Sequence, residues 1–384
     1  MAPEQEISID KWHIQTIAVH AGYNSESKEG DIMQPIHLST TFQRNQDGTL
    51  NEFIYSRSGN PNRDAVETKI AAIEGGAEAF AFSSGMAAIN ALFENVLEPG
   101  SHIIIPDDCY HGTRNLVDKF FRRWKVDFSE VDMTEIKNVL AVIKPATKLI
   151  WMETPSNPQL KICDITALAT IANQHKITIA CDNTFATPLF QKPLDMGVDY
   201  VMHSSTKFFS GHSDVLGGVL VVKEKTTVSE RLREYQQIAG AVPSPFDCWL
   251  LNRSLSTFPI RVPLQCSNAM ALAQHLLQQN KIEKVFYPGL PSHLNHSIAA
   301  KQMKGGFGSI LSILVKGNKE DTLHFAGRLK IFKHATSLGG VESLVEHRRT
   351  AEGAHPISPD NLLRISVGIE HIDDLLNDIS QALE

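Results

Sequence analysis

The sequence lacks the features that mark secreted, membrane-bound and nucleic-acid-binding proteins. Its five cysteines form no Cys-x-x-Cys pair and are too few for a disulfide framework in 384 residues. It has no apolar run long enough to span a bilayer, and its first residues do not form a signal peptide. The formal net charge of −7 is spread along the chain, without a basic arm. We therefore expect a cytoplasmic protein with reduced thiols and neither a membrane nor a nucleic-acid partner.

Length and patterning indicate an α/β protein with two domains. Neither the cysteines nor the 16 histidines show metal-ligand spacing, so no metal site is predicted. Short apolar segments alternate with helical patterns up to about residue 222, which predicts a large domain built on a mostly parallel sheet. Residues 227–280 look helical, with breaks near 240–245 and at Pro259 and Pro263, and the segments 309–315, 330–335 and 362–367 predict strands of a smaller α+β domain. The predicted units are an N-terminal arm (1–60), a large domain (61–245), and linker helices with a small domain (246–384).

The predicted arm carries two residues suited to binding a phosphate. Residues 12–60 are irregular and rich in Gly, Asn, Ser and Thr, which is unusual unless the segment wraps a neighbour or builds a site. Tyr55 and Arg57 lie two residues apart, so both side chains point to one face of an extended segment. An arginine fork beside a phenol suits a phosphate, although a simple surface turn fits the same residues.

Lys207 is the most informative residue of the chain. It lies in an uncharged run of small, hydroxyl-bearing and aromatic residues that follows an apolar segment directly. Partial burial and apolar neighbours lower the pKa of an amine, as attack on a carbonyl requires. Ser204 and Thr206 add hydroxyls suited to a phosphate. The run predicts a Schiff-base lysine for pyridoxal phosphate, and a structural or solvated lysine is the alternative because Ser-x-Thr-Lys is a short motif.

A second phosphate signal is the turn at Gly85 and Met86, between a predicted strand and a predicted helix. The first N–H groups of a helix have no partner within it, and glycine lets an anion approach closely. The turn matches neither a Walker A motif nor G-x-G-x-x-G, so phosphate is indicated rather than a nucleotide.

Three polar residues follow the ends of predicted strands, where open α/β sheets bind their ligands. Tyr110 is suited to stacking on a flat ring, with an ordinary loop tyrosine as the alternative. Asn157 presents its amide from a proline-flanked turn. Asp182 is suited to pairing with a protonated pyridine nitrogen, and a helix cap or turn residue is the plainer interpretation.

The small domain contributes one buried cation and one polar segment. Arg364 lies in an apolar strand and needs a partner, because an unpaired buried guanidinium is costly. A substrate carboxylate or an internal Asp or Glu would satisfy it. The polar segment is 337–343, which contains Glu342 and Ser343.

Together these motifs resemble the Cys/Met-metabolism pyridoxal-phosphate enzymes, a family that includes the cystathionine γ-synthases, γ-lyases and β-lyases. The similar segments are Tyr-Ser-Arg-Ser-Gly-Asn-Pro at 55–61, Ser-Ser-Gly-Met-Ala-Ala at 83–88, Glu-Thr-Pro-Ser-Asn-Pro at 153–158, Ser-Ser-Thr-Lys at 204–207 and Ser-Leu-Gly-Gly-Val-Glu-Ser at 337–343. The resemblance implies the type I fold of such enzymes, with a doubly wound sheet and a small C-terminal domain. It also implies a homotetramer of two dimers with shared sites.

The resemblance implies roles for the matching residues. Lys207 would carry the cofactor and move protons, Asp182 would hold the ring nitrogen, and Tyr110 would stack on the ring and assist proton transfer at the leaving group. The residues implied to hold the phosphate are Gly85, Met86, Ser204 and Thr206, joined by Tyr55 and Arg57 of the partner subunit. The residues implied to bind the amino-acid substrate are Arg364, Asn157, Ser343 and Glu342.

The chain departs from the family pattern at several positions. Ile54 stands where an acidic residue often precedes the Tyr-Ser-Arg turn, and Arg114 comes one place early after the stacking tyrosine. Gly112 replaces the cysteine of methionine γ-lyase, whereas Glu342 fits the γ-type enzymes. The leading hypothesis is a carbon–sulfur lyase of transsulfuration acting on cystathionine by β- or γ-elimination. The alternatives are γ-replacement on an O-acylhomoserine and a non-catalytic relative.

Overall fold

The computed structural model describes residues 11–23, 30–352 and 356–384, so residues 1–10 and 24–29 of the predicted arm lie outside the described residues. Within these ranges the strands form a seven-stranded and a five-stranded sheet. The larger sheet contains β1 (Glu78–Phe82), β2 (His102–Pro106), β3 (Asp127–Val131), β4 (Thr147–Glu153), β5 (Thr178–Asp182), β6 (Tyr200–His203) and β7 (Gly218–Val222). The smaller sheet contains β8 (Ile282–Phe286), β9 (Ile310–Val315), β10 (Lys333–His334), β11 (Leu344–His347) and β12 (Leu362–Ser366).

Helices connect the strands and cover the sheets. They are α1 (Ile14–His20), α2 (Pro61–Glu74), α3 (Gly85–Val96), α4 (His111–Lys119), α5 (Ile136–Val142), α6 (Ile165–Gln174), α7 (Thr187–Phe190), α8 (Thr227–Ala239), α9 (Pro245–Leu255), α10 (Phe258–Leu276), α11 (His296–Gln302), α12 (Lys319–Arg328), α13 (Arg348–Ala351) and α14 (Ile372–Leu383). Local signals fix their ends. Asn60 accepts a hydrogen bond from the N–H of Asn62 at the start of α2, and Gly75 ends that helix at a φ of 84°.

The large sheet has apolar cores on both faces, as a doubly wound sheet requires. Its strand order is β1-β7-β6-β5-β4-β2-β3, with β7 antiparallel to both neighbours and the other pairs parallel. Side chains alternate along each strand, so Ile104 of β2 enters the core on one face while Ile103 and Ile105 enter the core on the other. The predicted fold class is confirmed.

The small sheet packs only one face against its own core. Leu363 and Ile365 of β12 lie in a core built with the second half of α10 and with α14, whereas the first half of α10 packs into the core of the large sheet. Helix α10 therefore joins the two sheets. Arg364 alternates with Leu363 and Ile365, so it lies on the opposite face of β12, beside its cross-strand neighbour Glu346.

Three sequence-based details differ from the structure. Helix α10 continues through Pro263, where a break was expected; the proline forfeits one hydrogen bond near the helix start, and the helix is held by its buried apolar side chains. Strands β3, β8 and β11 were not predicted, and β10 is shorter than the expected 330–335. β10 has only two residues, both exposed, so edge pairing rather than apolar patterning defines it.

Part of the predicted arm is regular and packs on the chain itself. Helix α1 buries Ile17 and Ala18 and contacts α2 and α10, because apolar residues recur at helical spacing there. Residues 30–60 carry little regular structure and expose apolar side chains such as Ile32 and Leu38. In the described part of the chain, no helix is long and apolar enough to cross a membrane.

Candidate active site

A cavity of about 220 Å³ lies at the carboxyl ends of the large sheet's parallel strands, beneath the polar face of the small sheet. Strands β1, β2, β4, β5 and β6 all end at this edge, which is where open α/β sheets bind ligands. The predicted residues that line the cavity are Gly85, Met86, Tyr110, Asn157, Asp182, Ser204, Thr206, Lys207 and Arg364. The structure therefore brings together nine residues that are scattered over 280 positions of the sequence.

Lys207 lies in the turn that follows β6. The turn is held by a hydrogen bond from the Lys207 N–H to the Ser204 carbonyl (3.1 Å) and by one from the Gly211 N–H to the Lys207 carbonyl (2.8 Å). The side-chain Nζ reaches across to the small domain and donates to Ser337 Oγ at 2.7 Å. Burial, reinforced by the nearby charge of Arg364, lowers the pKa of Lys207 to about 8. This amine is thus more readily deprotonated than a surface lysine, as a nucleophilic lysine must be.

The start of α3 forms an anion-binding cradle. Ser84 caps the helix by accepting from the Ala87 N–H at 3.1 Å, which leaves the first-turn N–H groups of Gly85 and Met86 facing the cavity edge. A Cβ on Gly85 would lie 3.0 Å from Met202 Cε and 3.2 Å from Ser204 Oγ. Glycine therefore keeps open a space bounded by helix N–H groups and a hydroxyl, which fits a phosphate.

Thr206 and Ser204 border the same space from the lysine turn. The Thr206 hydroxyl donates to the Gly217 carbonyl (3.1 Å) and accepts from the Gly217 N–H (2.9 Å), so it also fixes the turn against the strand that follows. The Ser204 N–H donates to Thr184 Oγ1 at 2.9 Å, and its own hydroxyl lines the cavity.

Two carboxyl groups form the floor of the cavity. Asp182, at the end of β5, accepts from the Thr184 N–H at 2.9 Å, and burial raises its pKa. Glu153, at the end of the neighbouring β4, has a pKa raised well above its usual value by burial and then by the charge of Asp182. Burial and the nearby charge of Asp182 thus favour a proton on Glu153.

Tyr110 forms one wall of the cavity and is held from below. Its N–H donates to Glu153 Oε2 at 2.8 Å, so the carboxyl that lies beside Asp182 also positions the tyrosine. Burial raises the pKa of the phenol, against the opposing charges of Arg348 and Arg364. The phenol therefore stays protonated at neutral pH and is able to donate a proton.

Arg364 is the best-anchored cation of the site. Its Nη1 donates to Asn157 Oδ1 (2.9 Å), and its Nη2 donates to the Ser337 carbonyl (3.0 Å) and to Glu346 Oε2 (2.6 Å). The structure thus supplies an internal carboxylate partner, one of the two alternatives that the sequence left open, while the guanidinium also lines the cavity. Burial lowers the pKa of Arg364 to about 10, so it remains charged at neutral pH.

Four of the predicted residues do not line this cavity. Ser343 is fully buried and donates through its N–H and Oγ to Glu370 (2.7 and 2.8 Å), so it holds the small domain together and is not part of the substrate site that we propose. Glu342 contacts Ser213 and lines an adjoining depression that shares Thr206 and Ser337 with the cavity. Tyr55 and Arg57 lie on the arm, with the Arg57 guanidinium 5.7 Å from the Tyr55 ring.

Sequence reasoning missed several residues that line the cavity, among them Glu153, His111, Ser337 and Arg348, and it also missed Glu346, which contacts Arg348 and Arg364 from behind. Glu153 and Ser337 stood at the edges of motifs already singled out, so the motifs gave a signal. Glu346 became visible only through strand register, and Arg348 only through the short helix that follows that strand. Arg348 is buried in the cavity wall, whereas its neighbour Arg349 pairs with Asp360 at 2.8 Å on the surface. Among the described residues no cluster of three or more His, Cys, Asp or Glu is able to hold a metal.

One cavity contains a lysine with a lowered pKa, helix N–H groups suited to a phosphate, a tyrosine in its wall and a carboxyl group in its floor. Pyridoxal phosphate requires these parts, so the fold and site define a pyridoxal-phosphate-dependent enzyme. The chain belongs to the Cys/Met metabolism PLP-dependent enzyme family, whose model matches residues 15–384.

Relatives of known name are similar along almost the whole chain. A cystathionine gamma-synthase of Mycobacterium tuberculosis is 45% identical over 374 residues, covering 96% of each chain. A cystathionine beta-lyase of Coxiella burnetii is 43% identical over 384 residues, covering 97% of this chain and 98% of the relative. The crystal structure of metB from Corynebacterium glutamicum superimposes with a TM-score of 0.95 at 42% identity, covering 98% of each chain. The family and its cofactor are thereby shown, whereas the relatives' names divide between synthase and lyase.

Proposed function

We propose that this protein binds pyridoxal phosphate on Lys207 and cleaves the carbon–sulfur bond of L-cystathionine or a related sulfur amino acid by β- or γ-elimination. The observation that carries the proposal is one cavity in which the Lys207 amine, the Tyr110 phenol and the Arg364 guanidinium converge. Such a cavity holds an amino acid at its carboxylate, its α-carbon and its leaving group at once.

Each residue has a distinct task in this scheme. Pyridoxal phosphate supplies an electron sink for negative charge that develops at the substrate's α-carbon. Arg364 and Asn157 bind the α-carboxylate, Lys207 takes the α-proton and returns it where needed, and Tyr110 protonates the departing sulfur. Asp182 pairs with the ring nitrogen, while the Gly85 and Met86 N–H groups with Ser204 and Thr206 hold the phosphate.

The arm supports a shared site in a homo-oligomer. Tyr55 and Arg57 are both exposed, and the Arg57 guanidinium donates to the Gln237 carbonyl. The surface around them is rich in exposed apolar side chains. We propose that these two residues complete the phosphate site of a partner subunit in a tetramer of two dimers.

The proposed units remain the arm (1–60), the large domain (61–245) and the linker helices with the small domain (246–384). Five buried free thiols fit a cytoplasmic protein.

A second candidate is γ-replacement, in which the thiol of cysteine replaces the acyloxy group at the γ-carbon of an O-acylhomoserine, and that group leaves as a carboxylate. It is supported by the cystathionine gamma-synthase name of the relative that is 45% identical. Glu342 lines the depression next to the cavity, and in this candidate reaction we propose that it contacts the incoming amino acid. The same cavity serves both reactions, because both begin with loss of the α-proton.

Two incubations test the proposal. Purified protein loaded with pyridoxal phosphate is mixed with L-cystathionine, and the products are identified by chromatography. Pyruvate, homocysteine and ammonia report β-elimination, whereas 2-oxobutyrate, cysteine and ammonia report γ-elimination. If the protein instead forms cystathionine from O-succinyl-L-homoserine and cysteine faster than it releases any keto acid, the second candidate is correct and elimination is not the main reaction. Absence of all these products would refute both.

A further inference from the structure

Two buried arginines share one carboxylate in the wall of the cavity. Glu346 Oε2 accepts from Arg364 Nη2 and from Arg348 Nη1, each at 2.6 Å. All three side chains are nearly sealed from solvent, with exposed side-chain fractions of 3% for Arg348, 4% for Arg364 and 7% for Glu346. Burial raises the pKa of Glu346, but the two guanidinium charges outweigh it and hold that pKa below its usual value. The cluster is therefore one anion between two cations.

The pairing between Glu346 and Arg364 presents a problem for substrate binding. Glu346 lies directly opposite Arg364 in the strand register, so the carboxylate is fixed beside the guanidinium whether or not a substrate is bound. A carboxylate at 2.6 Å from Nη2 cancels most of the attraction that Arg364 exerts on a second carboxylate. With Glu346 alone, the site proposed for the α-carboxylate would be close to neutral.

Arg348 restores the missing charge. The three-residue cluster has a net charge of about +1, which one α-carboxylate balances. Within the described part of the chain, the Arg348 side chain has no hydrogen-bond partner other than Glu346, and its Nε is buried without one. A buried ion pair contributes little net stability once the cost of desolvating both charges is counted, so the stability of the fold does not explain why Arg348 lies here. Its charge acts on Tyr110 and on His111, both of which line the same cavity.

We propose that Arg348 is a positioning residue that neutralises Glu346, so that the charge of Arg364 remains available to the substrate's α-carboxylate. The inference rests on the proposed function only in taking Arg364 as the carboxylate-binding residue. It predicts that Arg348 matters through its charge relative to Glu346, and not through its packing or through direct contact with one particular substrate.

The test measures binding without turnover. The protein loaded with pyridoxal phosphate is titrated with glycine, which carries the α-carboxylate, and with glycinamide, which lacks it; the visible absorbance of the bound cofactor reports each dissociation constant. Arg348→Met should weaken glycine binding roughly 10- to 100-fold, the loss expected for one charge at close range, and leave glycinamide binding unchanged. Arg348→Lys, which keeps the charge, should stay within a few-fold of the parent protein.

A double variant makes the test specific to charge. In Glu346→Gln/Arg348→Met the cluster regains the net charge of Arg364 alone, so glycine binding should return to within about threefold of the parent. Arg349→Met is the matched control, because Arg349 is a neighbouring arginine whose partner Asp360 lies on the surface. This control should bind both probes normally.

The outcomes separate the inference from the proposed function. If Arg364→Met leaves glycine binding intact, the proposed carboxylate site is wrong. If Arg364→Met weakens binding but Arg348→Met does not, or if the double variant shows no rescue despite an unchanged melting temperature and cofactor spectrum, only the role of Arg348 is overturned. If Arg348→Met impairs O-succinyl-L-homoserine binding and spares glycine, Arg348 instead binds an acidic substituent, which also overturns the inference.

Discussion

Substitution of Gly85 by alanine gives the sharpest test of the phosphate cradle. Gly85 is the first residue of α3, and its φ is not in the left-handed region, so alanine is compatible with the backbone there. The added Cβ would lie 3.0 Å from Met202 Cε and 3.2 Å from Ser204 Oγ, on the side where the phosphate is proposed to bind. The change therefore removes space and leaves charge and fold in place.

The expected loss follows from the contacts that the phosphate would make. The end of the Met202 side chain is able to move by a few tenths of an ångström, so the folded protein without cofactor should lose no more than about 1 kcal/mol. Alanine also has a higher helix propensity than glycine, by up to about 1 kcal/mol, which offsets that loss. A phosphate displaced from one N–H group loses a charge-assisted hydrogen bond of about 1.5–3 kcal/mol, which weakens cofactor binding about 10- to 150-fold.

The assay is a titration of cofactor-free protein with pyridoxal phosphate, followed by visible absorbance, beside a thermal melt without cofactor. Gly327→Ala is the matched control, because Gly327 lies in α12 and no atom comes within 4 Å of its added Cβ. The control should bind the cofactor normally and melt slightly higher. Equal cofactor affinities for Gly85→Ala and the parent protein would refute the placement of the phosphate at α3.

Three further predictions test other residues. Burial lowers the pKa of Lys207 to about 8, so the neutral amine is already abundant at that pH. The rate at which cofactor-free protein takes up pyridoxal phosphate should therefore rise about tenfold per pH unit below 8 and level off above it. A rate that still rises towards pH 10 would contradict this. Tyr110→Phe should keep the cofactor's absorbance but lower kcat on L-cystathionine about 10²- to 10⁴-fold, since it loses the acid at the leaving group; an unchanged kcat would remove Tyr110 from catalysis. The Lys207→Ala and Arg57→Met variants should each be inactive, but they should regain activity when they are mixed, unfolded and refolded together, because a shared site then takes Lys207 from one subunit and Arg57 from the other. No recovery beyond either variant alone would contradict the shared site.

Most of the fold was predictable from the sequence because its determinants are local. Each apolar strand of the large sheet is followed directly by a polar residue, and helices such as α2 begin at a cap and end at a glycine in the left-handed region. The exceptions have physical reasons. β3 lies at a sheet edge and buries only Val131 of its five residues, and α10 keeps Pro263 because buried apolar contacts outweigh one lost hydrogen bond.

The site was predictable to the extent that each residue lies in its own recognisable motif. Lys207, Asp182 and Arg364 stood out because charged residues in apolar surroundings need a partner or a task. Glu346 and Arg348 carried no such signal, because Glu346 meets Arg364 through the antiparallel register of β11 and β12, and Arg348 follows β11 as the first residue of α13. Register places residues 18 positions apart at 2.6 Å, and no local pattern reports that distance.

The central claim is that Lys207 carries the cofactor, and one measurement tests it most directly. The protein loaded with pyridoxal phosphate is reduced with sodium borohydride, digested and mapped by mass spectrometry. The account predicts the pyridoxyl-phosphate mass on the peptide that contains Lys207, and its absence from Lys207→Ala. Lys69 is an internal control, since burial also lowers its pKa to about 8 although it does not line the cavity. The label on Lys69, or on no lysine, would contradict the account.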